Sequence, residues 1–319
     1  MRLPSPVAFL CLLFPVIVFA ACANDKPAPP PDAMAVDETV PVNEPALDRQ
    51  TVQDTFALVF TIEGLAGPES VRYDPDQDVF FISNFNGPGN ERDGNGFITK
   101  AASDGQILAL RFMTGTERYP LHAPRGMFIL GDTLFVVDAD GVHGFHRVTG
   151  KHLAFVDFTA FEPGFLNDVT AGPDGALFVT DTGTSRIYRV KNRQVKLVEE
   201  DMLLGPPNGI TWDAERERLL LAPWGGGQTL RAWRPDDRSL EIFAMSPGGY
   251  FDGIELVDGG ILVSSQADSS LYLIENGHGS VLVKTAGRPA DIGIDTRRGR
   301  VAVPYVALDR VDVWRLPDA

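Results

Sequence analysis

The stretch Asn167-Asp168-Val169-Thr170-Ala171-Gly172-Pro173-Asp174-Gly175-Ala176-Leu177-Phe178-Val179-Thr180 holds two short apolar runs separated by Pro173-Asp174-Gly175. Proline presets φ for a turn, and Asp-Gly supplies residues that tolerate positive φ, so the chain reverses there. Leu177-Phe178-Val179 is strand-forming in composition. Arg186-Ile187-Tyr188-Arg189-Val190 and Val195-Lys196-Leu197-Val198 follow as a third and a fourth strand. The unit predicted is a meander of four short strands, opened by the polar pair Asn167-Asp168.

Outward from this unit the pattern recurs in both directions. Glu69-Ser70-Val71 precedes Val79-Phe80-Phe81-Ile82, and Arg125-Gly126-Met127 precedes Leu134-Phe135-Val136-Val137. On the other side, Asn208-Gly209-Ile210 precedes Leu219-Leu220-Leu221, and Asp252-Gly253-Ile254 precedes Ile261-Leu262-Val263. Ala290-Asp291-Ile292 before Val301-Ala302-Val303 is the last occurrence. No amphipathic helix of useful length interrupts the series. A period of about 40 residues with four short strands is the signature of propeller blades, so the chain is expected to be all-β, a six-bladed β-propeller of four-stranded antiparallel blades. The first interval is the longest because Asn86 to Gly96 is an insertion rich in Gly, Asn and charge. The last unit ends soon after Val311-Asp312-Val313-Trp314, while Phe56 to Ile62 precedes the first unit without one of its own. That N-terminal run is expected to supply the missing outer strand and close the last blade, leaving no open sheet edge.

In a propeller the first strand of each blade lines the central channel, so equivalent strand starts meet around one mouth. The first repeat position reads Glu69, Arg125, Asn167, Asn208, Asp252 and Ala290, with Asp168 and Asp291 beside it. Strand starts favour Asn and Asp for turn reasons alone. Two carboxylates and two amides in one ring are also the oxygen set that a hard divalent cation such as Ca²⁺ requires. His and Cys are missing from the ring positions, which argues against zinc or copper.

The first 21 residues read as a targeting segment: Arg2, an apolar run from Val7 to Phe19, then Ala20-Ala21 before Cys22. Phe19-Ala20-Ala21-Cys22 resembles a bacterial lipobox, with Phe in place of the usual Leu; by that resemblance Cys22 is the lipidated first residue of the mature chain. Residues 22–53, with Lys26-Pro27-Ala28-Pro29-Pro30-Pro31, read as an extended acidic tether, and residues 54–319 as the folded domain. The expected location is the bacterial cell envelope, lipid-anchored, periplasmic or surface-exposed, with the outer membrane favoured because Ala23 rather than Asp follows Cys22. The only other cysteine, Cys11, lies in the targeting segment, so the domain has no disulfide to rely on. A surface carrying 43 acidic against 28 basic residues repels nucleic acid and anionic lipid, leaving the anchor as the expected membrane contact.

Glu69-Ser70-Val71-Arg72-Tyr73-Asp74, Asn167-Asp168-Val169 with Pro173-Asp174-Gly175, Pro207-Asn208-Gly209-Ile210 and Phe251-Asp252-Gly253-Ile254, taken in this order, resemble the gluconolactonase/regucalcin-like six-bladed propellers. The resemblance spans 54–319 at the level of blades. It implies that Glu69, Asn208 and Asp252 hold Ca²⁺ or a similar divalent ion, with Asn167 as a ligand or substrate contact. Lactonase members carry an Arg two residues before the Asn-Asp pair; here that residue is Phe165. Arg125 is expected either to take its role toward a substrate or to be the counter-ion of Asp168.

The function expected is metal-dependent hydrolysis of a lactone or related ester. In it the ion polarises the carbonyl, Asp252 or Asp168 accepts a proton from water, and Asn167 orients the small-molecule substrate. His122, near Arg125, is a candidate substrate contact or base. His143, His146, His152 and His278 share no spacing. Trp212, Trp224, Trp233 and Trp314 read as packing residues, with Trp224 before Gly225-Gly226-Gly227 also placed to rim a pocket. The rival reading is a non-catalytic propeller lipoprotein that binds a ligand or protein partner, with a structural channel metal; fold alone does not separate the two.

Overall fold

The structure is a computed structural model that describes residues 56–317. The targeting segment, Cys22 and the tether lie outside the described residues. Among the described residues the chain is all-β, with three single-turn 3-10 segments as its only helical pieces.

β1 (Ala57–Ile62) does not pair with the strand that comes directly after it. β2 (Pro68–Asp74), β3 (Val79–Asn84), β4 (Phe97–Ala102) and β5 (Ile107–Thr114) form one antiparallel meander. β6 (Met127–Leu130), β7 (Thr133–Val137), β8 (Gly141–His146) and β9 (His152–Asp157) form the next. β10 (Leu166–Ala171), β11 (Leu177–Asp181), β12 (Arg186–Lys191) and β13 (Gln194–Glu200) are the meander predicted from the quoted stretch. β14 (Pro207–Asp213), β15 (Arg218–Pro223), β16 (Thr229–Trp233) and β17 (Leu240–Met245) follow. They share one eight-stranded sheet with β18 (Phe251–Val257), β19 (Gly260–Ser265), β20 (Ser270–Glu275) and β21 (His278–Lys284). The two halves of that sheet touch through a single parallel pair, Met245 with His278. Last come β22 (Gly293–Asp295), β23 (Arg300–Tyr305) and β24 (Arg310–Arg315), and β1 completes their sheet by pairing antiparallel with β24, Ile62 opposite Val311.

Inner strands differ from outer ones in a way that composition explains. β3, β10, β11 and β15 are buried at every position because each sheet packs on both faces. Hence runs such as Leu219-Leu220-Leu221 lack the apolar–polar alternation of a half-exposed strand. The outer strands β5 and β9 do alternate, one face turned to water. A separate apolar core fills each contact between consecutive meanders. Val137, Val142 and Val156 meet Leu166, Val169 and Tyr188 in one, and Ile62, Val311 and Val313 meet Val71, Phe80 and Ile82 where the C-terminal sheet returns to the first. The sheets thus form a closed β-propeller with no disulfide among them.

Candidate functional site

The inner strands do not start regularly. Pairing registers shift between Pro68 and Val71, Leu166 and Val169, Pro207 and Gly209, and Phe251 and Ile254. Each interval contains a predicted ring residue: Glu69, Asn167, Asn208 and Asp252. A bulge adds a residue to one strand and re-aims its side chain, which frees these positions from the alternation that would tuck them between sheets. Hydroxyls on the second strand satisfy the N–H groups the bulges release. Ser83 Oγ accepts from Ser70 N at 2.9 Å, Thr180 Oγ1 from Asp168 N at 3.0 Å and Ser264 Oγ from Gly253 N at 2.8 Å. Thr180 and Ser264 pass their own protons on to Asn208 O at 2.7 Å and Ala290 O at 2.9 Å, tying the bulge at Asp168 to that at Asn208 and the bulge at Asp252 to the head of the last sheet.

All ring residues are buried, from 1% exposure at Arg125 and Ala290 to 5% at Glu69. Gly126 N donates to Asn167 O at 3.0 Å, and Asp291 N donates to Glu69 O at 2.9 Å, joining the last ring position to the first. Where the inner strands converge there is no room for a side chain: a Cβ at Gly209 would lie 2.0 Å from Asp252 O.

Three oxygens in this ring are buried and have no hydrogen-bond partner: Glu69 Oε2, Asn208 Oδ1 and Asp252 Oδ1. An orphaned buried acceptor costs about 1–3 kcal/mol, more when charged, so three together require an account. Asn167 has its amide oriented by chemistry. Its Nδ2 donates to Thr182 Oγ1 at 3.0 Å, and because that hydroxyl gives its single proton to Pro207 O at 2.8 Å, the nitrogen must face it. Asn167 Oδ1 therefore points elsewhere.

The electrostatics agree. Burial, then the charges of Asp252 and Asp291, hold the Glu69 carboxyl well above its usual range, against Arg125. Burial and Asp291 push Asp252 up to about 8, although the amides of Gln266 and Asn208 oppose the shift. Burial pushes Asp291 up to about 6, with Arg72 and the Ser70 hydroxyl opposing. A polyvalent cation would relieve this crowding of carboxylates and satisfy the orphaned oxygens. Oxygen-only donors suit Ca²⁺ by charge and by softness.

The other predicted residues fall differently. Asp168 turns Oδ1 to Val169 N at 2.7 Å and Oδ2 to Ile210 N at 2.9 Å, so it straps β10 to β14. Burial and Asp291 raise its pKa, and Arg72 is the cation that offsets this. Arg125 makes no ion pair with Asp168 among the described residues, which corrects the counter-ion alternative. Arg125 lies over the Phe165 ring, 3.9 Å from its centroid, and donates Nη2 to Gly89 O in the insertion loop; Nε and Nη1 are buried without partners. Its charge offsets that of Glu69, while burial lowers its own pKa.

His122 Nδ1 accepts from Gly94 N at 3.0 Å, which leaves the ring proton on Nε2, 3.6 Å from Asp140 Oδ2. His122, Asp138 and Asp140 place ligand atoms within 4.8 Å of one another, a second candidate metal cluster that the ring reasoning missed because only His122 was singled out. Asp138, however, already accepts from His122 N at 2.8 Å and Ala123 N at 2.7 Å. Asp181 does the same for Gly164 and Phe165 in the next meander, so this is a repeated loop anchor. His143 and His152, unrelated in spacing, are hydrogen-bonded at 3.1 Å. Trp233 is buried and Trp314 stacks on Phe56, as packing residues; Trp224 is 41% exposed and does not pack a core. Sequence reasoning also missed Arg72 and Gln266, whose roles depend on partners remote in the chain.

No protein-family model matches the chain, and no curated protein sequence matches it. Solved structures do. A gluconolactonase from Xanthomonas campestris superposes with a TM-score of 0.64 at 16% identity, covering 82% of this chain and 89% of the other. A streptogramin B lyase gives 0.59 at 13% identity over 82% and 98%. Virginiamycin B lyase from Staphylococcus aureus gives 0.58 at 15% identity over 82% and 99%. At these identities what the chain shares with them is the β-propeller fold.

Proposed function

We propose that the meanders are six blades, and that the chain is a hydrolase of lactones or related esters, dependent on a divalent cation. Glu69, Asn208 and Asp252 hold the ion, Ca²⁺ by its donor chemistry, with Asn167 Oδ1 beside them. The observation that carries this reading is the set of three orphaned buried oxygens, each released by a bulge at the head of an inner strand. The gluconolactonase among the structural neighbours supports the choice of reaction class.

Bound there, the ion supplies Lewis-acid polarisation of the substrate carbonyl. Asp252 is the carboxylate assigned to proton transfer: its orphaned Oδ1 would face both the ion and the attacking water while Oδ2 accepts from Gln266 Nε2, whereas Asp168 has both oxygens bound to backbone N–H groups. It takes a proton from water as the water oxygen bonds the carbonyl carbon, and returns it to the leaving alkoxide oxygen when the acyl carbon–oxygen bond breaks. Asn167, fixed by Thr182, orients the substrate. Arg125 Nη1 and Nε, buried and unpartnered, are the donors left for its oxygens, and His122, whose Nδ1 accepts from Gly94 N in the insertion loop, is a further candidate contact. Lipidation at Cys22 would hold this domain at the cell envelope on the 22–53 tether.

The test is a calcium-titrated panel of lactone, aryl ester and phosphotriester substrates. Turnover that requires Ca²⁺ and falls at least a hundredfold in Glu69→Gln and Asp252→Ala is expected. A calcium-loaded but inert protein would instead establish the binding-protein reading, with the ion as a tie between blades.

A further inference from the structure

Two exposed aromatic rings stand beside the proposed cation ligands. Trp224 directly follows Pro223, which pairs with Pro207 next to Asn208, and Trp224 N donates to Pro206 O at 2.7 Å. Tyr250 lies two residues before Asp252, and its backbone is pinned by Gln266 N donating to Tyr250 O at 3.2 Å. The rings meet edge to face with centroids 5.2 Å apart, yet remain 41% and 45% exposed. A packing role would have buried them.

Tyr250 adopts φ +47, in the left-handed region, and is the only aromatic residue to do so among the described residues. Bulky side chains rarely adopt that conformation, and such outliers cluster at ligand clamps. The loop beneath the ring is Gly225-Gly226-Gly227, where a Cβ on Gly226 would lie 3.2 Å from Tyr250 Cζ. The glycines let the ring lie down on bare backbone.

The surrounding side chains complete the argument. Met202-Leu203-Leu204-Gly205-Pro206 leads into β14, and Pro223-Trp224-Gly225-Gly226-Gly227 leaves β15. Neither segment has a side chain that donates or accepts a hydrogen bond, apart from the Trp224 indole N–H. Met202 and Leu203 are 78% and 64% exposed. A polyhydroxylated ring laid here would find only the Trp224 indole N–H and the Tyr250 hydroxyl among these side chains and would leave most of its hydroxyls unpartnered, whereas an alkyl or aryl group would lose only water.

From this we infer that Trp224 and Tyr250 form an apolar platform for the substrate's non-reacting part, and that the substrate is a lactone or ester with an alkyl or aryl tail. The inference rests on the proposed hydrolase reading for the position of the ester group. The experiment is a series of 5-alkyl δ-lactones, methyl to nonyl, with glucono-δ-lactone as the polar comparison. Full burial of a methylene corresponds to about a fourfold gain, and contact on one face to about twofold. The expected result is a rise in kcat/KM of about twofold per methylene over the first few carbons. That rise flattens in Trp224→Ala and Tyr250→Ala and is largely restored in Trp224→Phe. The calcium-induced rise in Tm, measured on each variant, reports whether the ring is intact. A flat series in the unmodified protein, an unchanged slope in Trp224→Ala, or preference for glucono-δ-lactone overturns the inference.

A parallel binding series of 2-alkylcyclopentanones, which cannot be hydrolysed, separates this failure from that of the hydrolase reading. If no lactone is turned over but affinity climbs with chain length and loses that climb in Trp224→Ala, the platform stands and the reaction falls. If affinity is flat as well, both fall.

Discussion

Calcium binding to this ring should expel protons, and the amount follows from the burial of Asp252. With its carboxyl pushed up to about 8, Asp252 is mostly protonated at pH 7 in the ion-free protein, and a coordinating carboxylate must give that proton up. Glu69, also held well above its usual range, adds to the release. The sign for stability is the reverse of the usual carboxylate case. A raised folded-state pKa stabilises the ion-free fold fully below about pH 4, and that contribution is lost as pH rises through about 8. The ion-free Tm should therefore fall across this window while the calcium-loaded Tm holds, so the gap between them widens with pH. Titration calorimetry at pH 6.5 in two buffers of different ionisation enthalpy measures the protons directly. The expected value is at least about one per ion, falling as pH rises through about 8, and smaller by about one in Asp252→Asn. Calcium binding with a heat independent of the buffer at pH 6.5 would refute the assignment of these carboxylates as ligands.

Gly209→Ala places a Cβ 2.0 Å from Asp252 O and must displace the strand that carries the ligand; calcium affinity by the same calorimetry should fall more than tenfold while the far-ultraviolet circular dichroism stays that of a β-protein. Asp168→Ala leaves the buried Val169 and Ile210 N–H groups without acceptors, at about 1–3 kcal/mol each. Its urea midpoint should drop with and without Ca²⁺, because the residue ties sheets together; a loss confined to the calcium-loaded protein would reassign it to the ion.

The repeat was legible because each meander writes its own signal locally. Pro173-Asp174-Gly175 turns the chain wherever it is placed, and Leu177-Phe178-Val179 must be strand buried on both faces. The pairing of Phe56 to Ile62 with the C-terminal strands was legible as well, since an unpaired apolar run and an incomplete last unit called for each other. Ring membership followed from the period alone. What the ring residues do with their atoms did not. Asn167 and Asp168 are neighbours of similar size and polarity, yet one leaves an oxygen free and the other spends both on N–H groups. That difference comes from bulges and from Thr180, Thr182 and Ile210, partners at other points in the fold.

Local chemistry in the sequence alone thus determined the meander, its repetition and which residues stand at the heads of the inner strands. Tertiary structure decided which of their oxygens are unpartnered, that Arg72 rather than Arg125 offsets the charge of Asp168, and that Trp224 lies exposed with Tyr250 beside the ring. The reason is that a turn or strand preference is a property of a few consecutive residues. Hydrogen-bond satisfaction, desolvation and exposure are set by atoms brought together from blades remote in the chain.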